Sequence, residues 1–341
     1  MPTPPRRRPS GVRPRAVEPT VDGMLEGGIG AYRVLRTLGR GGLCDVVLAT
    51  REPGTLRAIK VLSSHHVAEG RLNPMMEWEA RVLRAVCDPH VVPLLDLVPP
   101  DRFPAGGGTP ALVLRHVPGV TLSELLGSLR RSGRRLHPAL AVALASRVLR
   151  GLHGVHRTLI DGRSLVHRDV TPRNVMVGPR GRVTLIDLGL ARPSGPGFPW
   201  VGSTYMGTPR FAAPEQLLGH EVDPRSDLHG LGAMLWEMLT GRPLIPPLGL
   251  PAVYSTVVRG EHPRAKELVP EIPAALDAIV SALLSPRSLR PVSAALVHAQ
   301  LQEALPEARR VTSVQLGRLT AHHRDAADPH TAAWLGLRRA S

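Results

Sequence analysis

Residues 166–190 read VHRDVTPRNVMVGPRGRVTLIDLGL, and their reading decides how the rest of the chain is understood. Two short runs rich in β-branched residues, Val175–Val177 and Val183–Ile186, flank Gly178-Pro179-Arg180-Gly181. Such runs around a Gly/Pro turn predict a hairpin. Asp169 and Asn174 stand before the first strand, and Asp187 stands after the second. A hairpin brings its open ends side by side, so an acid, an amide and a second acid meet at one end. One carboxylate is then placed to meet a substrate hydroxyl. The other carboxylate and the amide oxygen are hard donors suited to Mg²⁺.

Composition narrows what such a site belongs to. With 341 residues the chain is long enough for two fused lobes. Aromatics make up only 3%, so the core has to be built from Leu, Val and Ala. The formal net charge is +15, and Lys60 and Lys266 are the only lysines, so nearly all positive charge is arginine. No nucleic-acid motif and no interleaved aromatics accompany that charge, which is read as biased composition plus basic tails. No apolar run reaches the roughly 18 residues of a membrane span. The N-terminus lacks the apolar segment of a signal peptide. Cys44 and Cys87 make no disulfide framework. The expectation is a soluble, cytoplasmic chain.

Working outward, residues 1–29 are rich in Pro, Arg and Gly and read as a disordered basic tail. Tyr32–Leu38 and Val46–Ala49 read as strands with Gly39-Arg40-Gly41-Gly42 between them. Glycine there lets backbone N–H groups approach phosphate oxygens. A third strand, Leu56–Leu62, puts Ala58 and Lys60 on one face by alternation. Asn73-Pro74 opens a helix that carries Glu79, with Glu77 as an alternative acid. Residues 99–110 are a Pro/Gly-rich loop before the strand Ala111–Leu114. Thr121–Glu124 is a capping box, and a long helix runs from Pro138 to about Leu159. Asp227 opens an apolar helix ending at Gly241, and further helices are expected at 252–259, 273–284 and 292–305. Residues 306–341 are basic and suggest no role. His65-His66 and His322-His323 have no partners at metal spacing.

In this order the segments resemble a bacterial-type serine/threonine protein kinase of the eukaryotic-like superfamily. Gly39, Gly41 and Val46 match the glycine-loop pattern Gly-x-Gly-x-x-Gly-x-Val, with Cys44 at the third glycine. His167-Arg168-Asp169 with Asn174 matches the catalytic loop, and Asp187-Leu188-Gly189 is similar to Asp-Phe-Gly. Gly207-Thr208-Pro209-Arg210-Phe211-Ala212-Ala213-Pro214-Glu215 resembles the block that closes the activation loop. The resemblance covers about residues 32–305.

It implies an α+β, bilobal protein kinase fold: a five-stranded antiparallel sheet with one helix over 32–114, a hinge at 115–117, and a mainly helical lobe over 118–305. It implies ATP and Mg²⁺ as cofactors, Ser/Thr hydroxyls of proteins as acceptors, and transient self-association for autophosphorylation. By resemblance Leu38, Gly39, Gly41 and Val46 border the nucleotide, and Ala58 leaves room for adenine. Lys60 reaches the phosphates while paired with Glu79, and the backbone of Arg115 and Val117 holds adenine. Asp169 orients the acceptor hydroxyl, Asn174 and Asp187 hold metal, and Thr208 lies in the wall that receives substrate. Ser203 and Thr204 are activation-loop phosphorylation candidates for Arg168. Glu215 pairs with Arg290, and Asp227 holds the catalytic-loop backbone. One departure stands out: Thr171 occupies the usual place of a lysine, and Arg173 is read as supplying the missing charge. With Cys44 and Leu188, that departure supports the alternative of a pseudokinase acting as an ATP-binding scaffold. A small-molecule phosphotransferase of kinase-like fold is a third reading, disfavoured by the Gly207–Glu215 block.

Overall fold

The computed structural model describes residues 24–27, 30–51, 54–63, 73–99, 110–195, 200–201, 204–324 and 338–339. The chain divides into two compact units, residues 1–80 with 94–116 and residues 81–93 with 117–341, so one division falls between His116 and Val117.

In the first unit, β1 (Met24–Gly27), β2 (Gly30–Arg40), β3 (Cys44–Thr50), β4 (Leu56–Leu62), β5 (Leu94–Val98) and β6 (Ala111–Arg115) form one antiparallel sheet in the order β1-β2-β3-β4-β6-β5. Strand alternation sends Tyr32, Val34, Val47, Ala49, Ile59, Val61, Val98, Ala111 and Val113 into one buried cluster. The other parity carries Val46, Ala58, Lys60, Leu112 and Leu114, with Lys60 opposite Val46 on one neighbour and Leu112 on the other.

Two features differ from the sequence reading. Met24–Gly27, assigned to the tail, pairs with Gly30–Arg33 as a sixth, edge strand. An edge strand needs one partner's unpaired backbone rather than an apolar face, so composition does not announce it. The other residues of 1–29 lie outside the described residues. The strands β2 and β3 also run on to pair Gly39 with Val46 and Arg40 with Asp45, leaving a turn of Gly41-Gly42-Leu43.

Helix α1 (Asn73–Ala85) follows β4 in sequence and brings Met76, Glu79 and Ala80 into buried positions. In the second unit, β7 (Val120–Thr121) leads into α2 (Leu122–Arg131). The capping box forms as read: Glu124 N–H donates to Thr121 Oγ1 at 3.1 Å and Thr121 N–H to Glu124 Oε2 at 2.7 Å. After β8 (Arg134–Arg135) comes α3 (Pro138–Arg157), buried along most of its length. Gly151 and Gly154 let neighbours close on it. A Cβ at Gly151 would sit 2.8 Å from Leu185 Cδ1, and one at Gly154 would overlap the Asp88 carboxyl.

The helix ends at Arg157, short of Leu159, and a hairpin of β9 (Leu159–Ile160) and β10 (Arg163–Val166) follows. Its turn residues Asp161 and Gly162 both have positive φ, 53° and 73°, the geometry that suits a two-residue hairpin turn. The central hairpin is β11 (Val175–Val177) and β12 (Val183–Leu185), antiparallel, with β7 on the outer side of β11. The strand β13 (Arg192–Pro193) pairs with β10.

The helices α4 (Pro214–Leu217), α5 (Pro224–Thr240), α6 (Leu250–Arg259), α7 (Ala265–Leu268), α8 (Ala274–Leu284) and α9 (Ala294–Ala304) complete this unit's helical body. The helix α5 starts on an Asp223 side-chain cap with Pro224 at its first position and stops at Gly241 (φ 72°). Past Leu305 the chain forms a short 3₁₀ turn, Pro306–Arg310, and a further helix, α10 (Ser313–Arg324).

Candidate active site

In the first unit the sheet's alternation decides the geometry. Ala58 and Lys60 project from the same side of β4, and Val46 projects beside Lys60 from β3. The Lys60 ammonium donates to Glu79 Oε1 at 2.9 Å and Oε2 at 2.8 Å. Lys60 is 8% exposed and Glu79 3%, so the pair is held away from bulk water. Glu77, the alternative acid, is exposed. Glycine is required at 41 because a Cβ there would lie 2.6 Å from the Cys44 carbonyl oxygen. A Cβ at Gly39 would meet nothing within 4 Å. Leu38 is exposed, Leu114 is buried, and Arg115, at the end of β6, is exposed.

In the second unit the catalytic loop leaves β10 through Arg168, whose φ of 68° puts a non-glycine residue in the left-handed region. The strain is held by three donors on one buried carboxylate. Asp227 accepts from the N–H of His167 at 2.8 Å, the N–H of Arg168 at 2.7 Å and His156 Nε2 at 2.8 Å. Burial pushes the Asp227 pKa up, but the bond and charge of His156 outweigh it and hold the carboxyl below its usual range. From the other side Gln216 Nε2 donates to the Arg168 carbonyl at 2.9 Å.

Asp169 follows, partly buried. Its Oδ2 accepts from Asn174 Nδ2 at 2.7 Å, and its Oδ1 accepts the backbone N–H of Thr208 at 3.2 Å. Asn174 Nδ2 also donates to the Asp169 carbonyl at 2.9 Å. Burial first, and the Asp187 charge second, push the Asp169 pKa above the ordinary carboxylate range. Asp187 is exposed at φ 65°, and its Oδ1 accepts from Gly189 N–H at 3.1 Å. The hairpin joins the two loops: Ile186 N–H donates to the Asn174 carbonyl at 2.9 Å. Leu188 is fully buried, filling the apolar role next to Asp187.

Glu215 and Arg290 form a buried fork, NH1 to Oε1 at 2.6 Å and NH2 to Oε2 at 3.0 Å, and Ser226 Oγ donates to Oε1 at 2.7 Å. Thr171 is 1% exposed and its hydroxyl has no partner among the described residues. A threonine presents no charge at the place where the resemblance implies a lysine. Arg173 is exposed, and its side chain makes no ion pair among the described residues. Arg168 NH2 donates to the Pro193 carbonyl at 3.0 Å. Thr204 lies in a two-residue strand paired with Trp200–Val201, and Ser203 lies outside the described residues.

The donor set fits the expected cofactors. Asn174 spends its amide N–H groups on Asp169, which leaves Oδ1 as its donor oxygen, and Asp187 adds a carboxylate. Two hard oxygen ligands suit Mg²⁺, which keeps waters and phosphate oxygens in its remaining positions.

The protein kinase domain model matches residues 32–290, most of the chain. The chain belongs to the protein kinase family. Kinases of this family use ATP and Mg²⁺. Similar curated proteins include a probable serine/threonine-protein kinase of Streptomyces coelicolor, 33% identical over 254 residues, covering 74% of this chain and 36% of the relative. Pkn1 of Myxococcus xanthus is 31% identical over 291 residues, covering 83% of this chain and 40% of that kinase. PknD of Mycobacterium tuberculosis is 31% identical over 256 residues, covering 74% and 36%. The kinase chain therefore spans about two-fifths of the length of these relatives. No described helix is long and apolar enough to cross a membrane.

Two residues of this kinase site are missed by sequence reading. His156 lies in the last turn of α3 and looks like a surface residue of a helix terminus. Gln216 follows Glu215 in a short helix, and nothing in its spacing announces a bond to Arg168.

Proposed function

We propose that this chain is an ATP-dependent serine/threonine protein kinase that transfers the γ-phosphoryl group to Ser/Thr hydroxyls of proteins. The carrying observation is the Asp169 carboxylate, fixed by Asn174 Nδ2 and Thr208 N–H and raised in pKa by burial and Asp187. Phosphoryl transfer asks the protein mainly for positioning and electrostatics. Bound Mg²⁺·ATP supplies the transferable group and the divalent charge that offsets it. Asp169 orients the acceptor hydroxyl and takes its proton, and a raised pKa makes it a stronger base than an ordinary aspartate. Asn174 and Asp187 are the residues to hold the metal, and Lys60, kept in place by Glu79, is the residue for the phosphates. Arg173 supplies the cation that Thr171 does not.

The chemistry acts on proteins in solution or at transient self-contacts, with Ser203 and Thr204 as sites that autophosphorylation would modify. The chain is assigned to the cytoplasm. The test is phosphoamino-acid analysis of a labelled protein substrate. Phosphoserine or phosphothreonine is expected. Label on small alcohols alone, with none on protein, would contradict the reading.

A further inference from the structure

We propose that helix α10, which lies beyond the segment matched by the family model, is a latch that positions the metal-binding end of the β11–β12 hairpin. The inference rests on the kinase reading for the role of Asn174 and Asp187. Two glycines make the contact. Gly181, in the hairpin turn, has φ 71°, and a Cβ on it would overlap the Ser313 backbone. Gly317 answers from the helix: a Cβ there would overlap the Pro179 carbonyl and come within 3.1 Å of Gly181 N. Ser313 and Gly317 are four residues apart, so both lie on one face of α10. Backbone meets backbone at two points, and a side chain at either glycine would prise them apart.

The rest of α10 is anchored. Leu316 and Leu319 are fully buried and Thr320 nearly so. A capping box starts the helix, with Thr312 N–H donating to Gln315 Oε1 at 2.8 Å and Gln315 N–H to Thr312 Oγ1 at 3.2 Å. The same helix packs on α2 and β11, and α2 in turn packs on the Pro172–Asn174 turn.

The hairpin needs such support because each strand has three residues, and an isolated pair of that size is marginal. Its open end is tied down: Leu185 N–H donates to the His90 carbonyl at 2.7 Å and Val92 N–H to the Leu185 carbonyl at 2.9 Å. The turn, about 10 Å away along the strands, is where α10 bears. With both ends held, the hairpin is a rigid arm with Asn174 and Asp187 at its tip. With the turn released, the hairpin pivots about its two Leu185 bonds, and Asn174 and Asp187 shift with it. Gly181 and Gly317 are thus positioning residues that act through Asn174 and Asp187.

The test uses the full chain with Gly317→Ala, the side-chain truncation Leu319→Ala, and Gly249→Ala as control. Gly249 has an ordinary φ of −60°, and a Cβ there would meet nothing within 4 Å. Hydrogen exchange is followed by mass spectrometry, and ADP binding is titrated with and without Mg²⁺. The latch predicts roughly tenfold faster exchange of amides 175–187 in Gly317→Ala and a smaller effect in Leu319→Ala, with α5 unchanged. It also predicts that half-saturating Mg²⁺ for ADP binding rises severalfold while metal-free ADP affinity stays at the wild-type value. Faster exchange confined to 313–324, with 175–187 and the Mg²⁺ titration unmoved, would overturn it. If Gly317→Ala does not fold, Leu319→Ala decides by the same comparison. If the wild type transfers no phosphate, the kinase reading falls, while the exchange data still judge the latch.

Discussion

The Asp227 carboxylate receives the backbone N–H of Arg168 at 2.7 Å, and through that bond helix α5 fixes the left-handed turn from which Asp169 projects. Asp227→Asn keeps the shape but loses the charge that binds His156 and one of the acceptor oxygens. It is expected to cost roughly 2–4 kcal/mol of stability. Displacement of Asp169 is expected to lower kcat by about 100-fold. Denaturant melts and steady-state kinetics on the same preparation check both. A variant with full kcat would show that the turn does not depend on this bond.

Arg290→Met leaves the buried Glu215 carboxylate without its cationic partner, with Ser226 still donating to it. Breaking such a pair is expected to cost about 3–5 kcal/mol. The pair also sets a pH dependence. Burial raises the Glu215 pKa, but the bond and charge of Arg290 outweigh it, so the folded value lies below the unfolded one. The contribution is present above the unfolded carboxylate pKa of about 4.3 and is lost as pH falls through the folded pKa. Urea melts at neutral and acid pH should show this loss in the wild type and a smaller one in Arg290→Met.

His229 carries the opposite liability. Burial, and then the Arg290 charge, push its pKa down to about 3. Between the unfolded value of about 6.5 and the folded value, the unfolded chain binds a proton that the folded chain does not. Stability falls there by about 1.4 kcal/mol per pH unit. His229→Gln should flatten the acid slope between about pH 6 and 4 by one proton. An unchanged slope would mean that His229 is protonated in the fold.

Arg173→Ala tests the cation that replaces the missing lysine. If Arg173 meets the transferring phosphate, kcat should fall about 100-fold, as when a transition-state donor is removed, with KM for ATP little changed. Unchanged phosphoryl transfer would remove Arg173 from the site.

Much of this was legible in the chain because the decisive residues sit in local patterns. The hairpin around Gly178–Gly181 and the capping box at Thr121–Glu124 follow from turn and cap chemistry alone. Lys60 and Ala58 share a face because a strand has a period of two. What escaped depends on tertiary partners. His156 is polar at a helix end, and only the fold turns it onto Asp227. Gln216 is ordinary in sequence and becomes a clamp on Arg168. The edge strand Met24–Gly27 lacks an apolar face. The Asp161-Gly162 turn was a readable hairpin signal, but the two-residue strand before it merges with the helical pattern of Pro138–Arg157. The docking of α10 rests on two glycines, Gly181 and Gly317, whose meeting no spacing rule foretells.

The most direct test of the central claim is phosphate transfer from γ-labelled ATP with Mg²⁺, with and without a generic basic protein substrate, beside Asp169→Asn. The account predicts label on Ser or Thr from the wild type and none from the variant, with ATP binding retained in both. ATP bound by the wild type with no label on any protein would contradict it and leave a nucleotide-binding scaffold.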